Sequence, residues 1–457
     1  MLFHTWEFAI FFTIVMAVYL PLKKTKWWSL WLLATSYFFY GWWNPLFLIL
    51  IVYSTAVDYL VGLKLGDSPY RRTWLTFSLI NNIFLLGFFK YANFFAENLR
   101  VLFTIMHIPI DIPEPNILLP VGISFFTFQS MSYSIDVFRG QLKIEKNYIR
   151  FSAFVALFPQ LVAGPIERAK ALLPQMRHNP IIRRVDISDG ISLFLVGLFK
   201  KAVMADILAL YADKIYGDPG MYGSWALLFG TYAFAWQIYF DFSGYTDMAR
   251  GIAKMMGIRL MLNFNNPYTA VDLGDFWKRW HISLSSWFKD YVYIPLGGNK
   301  GFKYKVYWNV FITMAISGFW HGAAWTFVIW GLINAIGRVV TMPIDHTTWY
   351  KKIPKIIKQL VIFHFICLTW VFFRATSVSE AMLVLRRFFS GLGGDPEIPV
   401  VIFALVGGVW GYQLLFNSRW RFILESRPVR IVGLVMAMLL FLIFATAGNK
   451  QFIYFQF

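Results

Sequence analysis

The sequence predicts an all-α fold, that of a polytopic integral membrane protein. Of the 457 residues, 58% are hydrophobic and only 14% are charged, and the apolar residues are gathered into successive runs along the chain. Soluble domains contain roughly a quarter charged residues, so this chain could not cover its surface in water. The composition therefore excludes a soluble globule, a disordered chain, a coiled coil and a disulfide-rich secreted scaffold.

The apolar runs are candidates for helices that cross or enter the bilayer. A bilayer core of about 30 Å takes roughly 20 helical residues, and several of the runs are shorter than this. Shorter runs are typical of tilted, broken or re-entrant helices, which need protein or water around them. We expect about eleven crossings, drawn from the runs 8–22, 27–40, 46–63, 74–89, 117–138, 151–162, 191–211, 225–242, 306–316, 323–341, 356–373, 400–416 and 431–445.

The first run, 8–22, is expected to be a retained span and not a cleaved signal peptide. It has no basic segment before it and no small-residue cleavage site after it. No linker or shift of composition divides the chain, and no internal repeat of the kind found in many transporters is visible. We therefore expect residues 1–457 to form a single membrane domain.

The net charge of +18 has two interpretations. Clustered basic residues on a soluble protein indicate nucleic-acid binding, whereas in a membrane protein they gather in cytoplasmic loops and determine orientation. The membrane interpretation fits the composition better. The only cysteine, Cys367, excludes an intrachain disulfide and a cysteine-rich metal site. No HExxH or CxxC spacing occurs either, so we expect no metal.

Segment 263–301 mixes charged and aromatic residues at helical spacing. It is too polar to cross a bilayer and too apolar to lie free in water, which is typical of amphipathic helices at the membrane interface. The PLGGNKG sequence at the end of this segment (295–301) is expected to end the helix. The alternating residues are Asp275, Lys278, Arg279, Lys289 and Asp290 with Phe276, Trp277, Trp280, Trp287 and Phe288.

Two histidines are candidates for catalysis. His321 lies in AISGFWHGAAW, where small residues such as Ser317 allow close approach, and an ionisable group inside a membrane favours a function. The alternative is a histidine that only hydrogen-bonds a neighbouring helix. His281 lies beside Lys278 and Arg279 in WKRWHISLS, where an interfacial histidine needs no special role.

The stretch QIYFDFSGYTDMARG places Asp241 and Asp247 on one apolar helix. A charged carboxylate inside a membrane is unfavourable in free energy, so these two residues are expected to have a role. Two roles are open: structural pairing with a basic residue, or contact with a substrate. No GxSxG elbow, P-loop or GxGxxG motif accompanies them.

The phrases around His281 and His321, DFWKRWHISLSSWFKDYVYIPLGGNKG and SGFWHGAAWTFVIWG, resemble the membrane-bound O-acyltransferase family. The resemblance is closest to its bacterial branch, which O-acetylates polysaccharides such as alginate. Further matching phrases are LLATSYFFYGWWNP, LFPQLVAGPIER, YFDFSGYTDMARGIAKMMGI, NFNNPY and the closing FIYFQF. The resemblance thus covers nearly the whole chain.

The resemblance implies a bundle of tilted helices around a central tunnel, with segment 263–301 on the cytoplasmic side. The family's catalytic histidine matches His321, and its second polar catalytic position matches His281. We expect acetyl-CoA to bind from the cytoplasm, in contact with Lys278, Arg279 and Lys289, unless these residues serve only as topology determinants. The substrate tunnel is expected to include Trp280, Trp320, Asp241 and Ser317.

The resemblance further implies a bacterial inner-membrane enzyme that passes an acetyl group to an SGNH-like extracytoplasmic O-acetyltransferase, which then modifies a polysaccharide. In the expected chemistry, a neutral imidazole at His321 removes the proton of a hydroxyl. His281 orients the thioester or donates to its carbonyl oxygen. Two alternatives stay open: transfer of D-alanine to a cell-envelope polymer, and a transporter or channel. Alginate, peptidoglycan and cellulose are all possible acceptors.

Overall fold

The computed structural model describes residues 1–110, 112–390 and 399–444, and every regular element in these ranges is a helix. This confirms the prediction of an all-α membrane protein. The first nine helices are α1 Trp6–Leu22, α2 Trp28–Gly41, α3 Phe47–Asp67, α4 Arg71–Ile105, α5 Ile123–Phe138, α6 Tyr148–Ala156, α7 Phe158–Leu161, α8 Ala169–Arg177 and α9 Arg184–Phe199.

The remaining helices follow a π-helical turn at Lys200–Ala205, and a second such turn, Lys289–Tyr293, follows α13. They are α10 Asp206–Gly217, α11 Ser224–Met255, α12 Leu273–Arg279, α13 Ile282–Phe288, α14 Lys303–His321, α15 Trp325–Ile344, α16 Thr348–Lys352, α17 Lys355–Arg374, α18 Val378–Ser390, α19 Val400–Phe416, α20 Arg421–Glu425 and α21 Arg427–Phe444.

The chain groups into two compact units. The first comprises Met1–Leu195 and Thr246–Met261, and the second comprises Val196–Tyr245 and Leu262–Phe457. That all of 1–457 forms one functional domain stays a prediction. In the first unit, α5 packs against α3 and α4, and the polar side chains on these faces are buried. In the second unit, α15 packs against α14 and α17.

Within the described residues, four helices are long and apolar enough to cross a bilayer by length and composition: Phe47–Gly66, Arg71–Ile105, Trp325–Ile344 and Lys355–Arg374. Shorter apolar helices occur at Trp6–Leu22, Phe403–Phe416 and Ile431–Leu442, and they overlap the predicted runs 8–22, 400–416 and 431–445. The count of about eleven crossings stays a prediction.

Several predicted runs differ in detail from the helices. Run 151–162 is divided between α6 and α7, because Leu157 takes a non-helical conformation (φ −51°, ψ 110°) and Pro159 has no backbone N–H. Run 117–138 begins its helix only at Ile123, after Gly122 in a left-handed conformation (φ 79°). Residue 445, the last of run 431–445, and the FIYFQF motif at 452–457 lie outside the described residues.

Segment 263–301 forms the short helices α12 and α13, as its spacing predicts. Asp272 caps α12 by accepting a hydrogen bond from the backbone N–H of Asp275 at 2.7 Å. Lys278 and Arg279 lie in its last turn, where positive charge complements the helix dipole. The break between the two helices falls at Trp280 and His281, which places both side chains in the interior of the second unit.

Candidate active site

His281 is the residue that immediately precedes α13. Its backbone is left-handed (φ 43°, ψ 55°), which turns the chain sharply between α12 and α13. The residue is only 1% exposed. An amphipathic helix alone would leave such a histidine at the interface, so its burial is a consequence of this turn.

Asn263 joins the chain before α12 to the beginning of α13. Its backbone oxygen accepts the N–H of Ile282 at 2.8 Å. Its side-chain Oδ1 lies 3.2 Å from the backbone nitrogen of Ser283, 2.9 Å from Ser283 Oγ and 3.1 Å from His281 Nδ1. The asparagine therefore caps α13 and holds His281 at the same time.

Aromatic rings surround the His281 imidazole. The Phe242 ring stands perpendicular to it with centroids 4.7 Å apart, and the Phe264 ring lies at 6.2 Å. Burial lowers the pKa of His281 to about 3, because a charged imidazole would be poorly solvated there. The ring is therefore neutral near pH 7.

His321 is the last residue of α14 and is 4% exposed. The helix reaches this point in close contact with α15: a Cβ added to Gly318 would lie 2.5 Å from the Cα of Gly331. Only glycines allow the two backbones to approach this closely. Because the C-terminal end of a helix carries partial negative charge, the position favours an imidazole that becomes positive during a reaction.

Three aromatic rings enclose the His321 imidazole, all roughly perpendicular to it. The ring centroids lie 5.0 Å away for Trp330, 5.1 Å for Trp320 and 5.6 Å for Phe373. Such edge-to-face contacts hold a ring in one plane and exclude water.

Trp320 contacts both candidate histidines. Its ring centroid is 5.1 Å from that of His321 and 6.4 Å from that of His281. The structure thus brings both histidines predicted from sequence into contact with one indole. Trp280 belongs to a neighbouring aromatic row, in which it contacts Trp370 at 5.1 Å and Trp370 stacks on Trp330 at 5.7 Å.

Asp241 forms a buried ion pair. Its Oδ1 lies 2.9 Å from Nζ of Lys201, which is also 3.0 Å from Asp206 Oδ1. Lys201 lies in the π-helical turn after α9. This is the structural pairing that the sequence left open as one role of Asp241, and its place in a substrate tunnel stays a prediction. Ser317 lies one helical turn before His321 and is partly buried.

The predicted donor-binding residues have different environments. Lys278 and Lys289 are exposed. Arg279 is partly buried, and its Nε lies 2.7 Å from Asp275 Oδ1. No cluster of three or more His, Cys, Asp or Glu side chains that could hold a metal ion occurs in the part of the chain that the structure describes.

Sequence reasoning missed four residues of the site: Asn263, Lys201, Trp330 and Phe373. Asn263 does lie within the NFNNPY motif, so its place in that motif was the available signal. Lys201 and Phe373 are distant in sequence from Asp241 and His321, which they contact. Trp330 is nearer to His321 in sequence but lies on the next helix, and no local pattern indicates these contacts.

A pair of buried imidazoles in an aromatic, water-poor environment is suited to proton transfer during acyl transfer. Comparison with known proteins agrees. Residues 114–377 match the model of MBOAT, the membrane-bound O-acyltransferase family. The chain belongs to this family, and it is a multi-pass membrane acyltransferase.

The relatives cover most of the chain. It is 39% identical over 400 residues to the probable alginate O-acetylase AlgI of Pseudomonas aeruginosa, with 85% of this chain and 75% of the relative covered. It is also 39% identical over 401 residues to the peptidoglycan O-acetyltransferase of Helicobacter pylori, with 80% and 74% covered. A teichoic acid D-alanyltransferase of Streptococcus thermophilus is 31% identical over 252 residues, with 51% and 58% covered. The predicted resemblance is thereby confirmed.

Proposed function

We propose that this chain is an O-acetyltransferase of the bacterial inner membrane. It takes an acetyl group from acetyl-CoA on the cytoplasmic side and supplies it for O-acetylation of an extracytoplasmic polysaccharide such as alginate, through an SGNH-like partner. The observation that carries this proposal is that the buried rings of His281 and His321 both contact the indole of Trp320. The two relatives with high coverage, both named as O-acetylating enzymes, support the acetyl group.

The proposed reaction uses His321 as the base. The acceptor hydroxyl loses its proton to the imidazole while its oxygen attacks the thioester carbonyl carbon. The C–S bond then breaks, and the proton passes to the departing thiolate, so CoA leaves as a thiol. A well-placed base contributes roughly 10²–10⁴ in rate. The partial negative charge at the end of α14 stabilises the imidazolium that forms in between.

The exposed cations of segment 263–301 support a phosphate-bearing donor. Lys278 and Lys289 are solvent-accessible, and ammonium groups form charge-assisted hydrogen bonds with phosphate. Arg279 is already paired with Asp275, so we assign it a smaller part. If Lys278, Arg279 and Lys289 serve only as topology determinants, their substitution should have no effect on donor affinity.

The test supplies labelled acetyl-CoA to membranes that contain equal amounts of wild type, His321→Ala, His281→Ala or His346→Ala. His346 is exposed and serves as the matched control. We expect label on polymer or partner with wild type and the control, and at least a 100-fold loss with His321→Ala. Transfer by His321→Ala at the wild-type rate would contradict the proposed base.

D-Alanyl transfer is the second candidate, because of the D-alanyltransferase relative that matches about half of this chain. Supplying either labelled acetyl-CoA or a D-alanyl carrier protein to the same membranes separates the two. Label transferred only from the carrier protein would replace the acetyl proposal. Membership of an acyltransferase family favours acetyl transfer and D-alanyl transfer over a transporter function. A transporter would move intact solute without cleaving a thioester.

The partner is tested by reconstitution. We expect the purified chain to acetylate polymer slowly by itself and at the membrane rate only when an extracytoplasmic SGNH-type transferase is added. Full activity of the purified chain alone would remove the need for a partner.

A further inference from the structure

Asn263 faces His281 with an atom whose chemical identity can be deduced. The same side-chain atom lies 3.2 Å from the backbone nitrogen of Ser283 and 3.1 Å from His281 Nδ1. A backbone N–H is only a donor, so the asparagine atom that meets it must be the carbonyl oxygen and not the amide nitrogen. The usual ambiguity in the orientation of an asparagine amide is therefore removed.

The identity of this atom determines the proton on His281. A carbonyl oxygen has no hydrogen, so the hydrogen between it and His281 must come from Nδ1. The imidazole is neutral at this buried position, and a neutral ring carries only one N–H. Its lone pair consequently lies on Nε2.

We propose that Asn263 is a positioning residue that holds His281 in the Nδ1–H tautomer, so that Nε2 accepts a proton or a hydrogen bond from a reactant. The proposal rests on the proposed function for the reactant, but the tautomer itself does not depend on it. A neutral His281 in this form cannot donate from Nε2. Donation to a thioester carbonyl oxygen therefore requires the ring to be protonated first.

The packing around His281 supports one ring orientation. Phe242 meets the imidazole edge-to-face, and Phe264 lies nearly parallel to it with an interplanar angle of 29°. A ring flip would put Cδ2 in the place of Nδ1 and break the contact with Asn263. Rings on two sides and a hydrogen bond at one nitrogen together leave the other nitrogen directed away from Asn263, as in metal sites where an outer acceptor fixes the imidazole tautomer.

The direct test is the ¹⁵N spectrum of histidine-labelled full-length protein in detergent, with His281→Gln to assign the His281 signals. A protonated and an unprotonated ring nitrogen have well-separated shifts. We expect the Nδ1–H pattern in wild type and in Asn263→Asp, whose carboxylate still accepts. In Asn263→Leu we expect the Nε2–H form to appear. An Nε2–H pattern in wild type, or an unchanged tautomer in Asn263→Leu, would overturn the proposal.

The functional test compares acyl-transfer kinetics of the same variants. We expect Asn263→Leu to lower kcat about 10- to 100-fold with little change in the KM of the donor. Asn263→Asp should restore most of kcat and move the acidic limb of the pH profile upward, because a nearby carboxylate favours the charged imidazole. A kcat for Asn263→Leu equal to wild type would also overturn the proposal.

Asn309→Leu is the matched control for folding. Asn309 is another buried asparagine of the second unit, and its Nδ2 donates to the backbone oxygen of Gly298 at 3.0 Å. We expect this variant to keep the wild-type tautomer at His281 and the wild-type pH profile. The NMR experiment needs no turnover, so it tests the tautomer of His281 even if the chain does not transfer acetyl groups. A failure of the tautomer proposal can therefore be distinguished from a failure of the proposed function.

Discussion

Lys201 and Asp241 form an ion pair of 2.9 Å in which both side chains are less than 5% exposed. The lysine comes from a π-helical turn and the aspartate from the middle of α11. A second carboxylate, that of Asp206, shares the same ammonium group at 3.0 Å. One lysine therefore compensates two acidic residues, and the three side chains should respond unequally to substitution.

Lys201→Met should be more destabilising than Asp241→Asn. Removing the lysine takes the cation away from the buried carboxylate of Asp241 and from the partly exposed carboxylate of Asp206, and a loss of about 3–5 kcal/mol is expected for breaking the buried pair. Asp241→Asn leaves Lys201 paired with Asp206. Thermal unfolding in detergent measures both, and a lower midpoint for Asp241→Asn than for Lys201→Met would contradict this reading of the cluster.

Gly318→Ala should separate α14 from α15 and displace His321. The added Cβ would lie 2.5 Å from Gly331 Cα, and overpacking of this kind is destabilising by about 1–3 kcal/mol. The control is Gly87→Ala in α4, where a Cβ meets nothing within 4 Å. We expect Gly318→Ala to lower both the midpoint of thermal unfolding and the rate of acyl transfer. Gly87→Ala should leave both at the wild-type value.

Trp320→Leu should slow acyl transfer by about 10- to 100-fold, because small displacements of reacting groups have effects of this size. The indole contacts the rings of both histidines. Trp308→Leu, on the same helix but exposed, is the matched control. The measurement is kcat at saturating donor; equal values for the two variants would show that Trp320 only fills space.

Protein stability should decrease in acid partly through His281. Its pKa is about 3 in the folded state and about 6.5 when unfolded, so between these values the unfolded state binds the extra proton. Its contribution is fully present above about pH 6.5 and is lost towards pH 3, at about 1.4 kcal/mol per pH unit.

His281→Gln should therefore flatten the dependence of unfolding free energy on pH in this window. Chemical unfolding in detergent at pH 4, 5, 6 and 7 measures the slope. His346→Gln, at an exposed position, should leave most of the slope in place. A slope in His281→Gln identical to wild type would mean that His281 is charged or solvated in the folded protein.

Lys278→Gln and Lys289→Gln should raise the KM for acetyl-CoA and leave kcat nearly unchanged. Loss of a charge that binds donor phosphate weakens uniform binding, and salt should reduce the difference from wild type. Lys351→Gln, an exposed lysine of α16, is the control. Steady-state kinetics at low and high salt decide, and an unaffected KM would assign these lysines to membrane orientation alone.

Sequence alone predicted the helices whose apolar runs are continuous. Run 356–373 agrees with α17 within one residue at each end, and run 400–416 coincides with α19. Interruptions were less predictable: the π-helical turn at Lys200–Ala205 lies inside run 191–211, which we predict from sequence as one continuous helix.

The two histidines of the candidate site could be named from sequence, but the residues that contact them could not. His321 stands out because ionisable groups are rare in such apolar surroundings, whereas His281 is indicated by the resemblance of its phrase to the family. The contact of His281 with Trp320, and the capping of α13 by Asn263, depend on tertiary contacts between separate elements. The pairing of Asp241 with some basic residue was one open role, but the sequence contains 42 lysines and arginines and does not select Lys201.

The left-handed backbone at position 281 restricts the amino acids that can occupy it. At φ 43°, glycine, asparagine and aspartate fit with little strain, whereas valine or isoleucine would crowd the neighbouring carbonyl. Asparagine is thus the polar replacement that keeps the local chain path. Substitutions to β-branched residues would test the bend of the chain together with the imidazole, so the choice of replacement decides whether an experiment at this position reports on chemistry or on geometry.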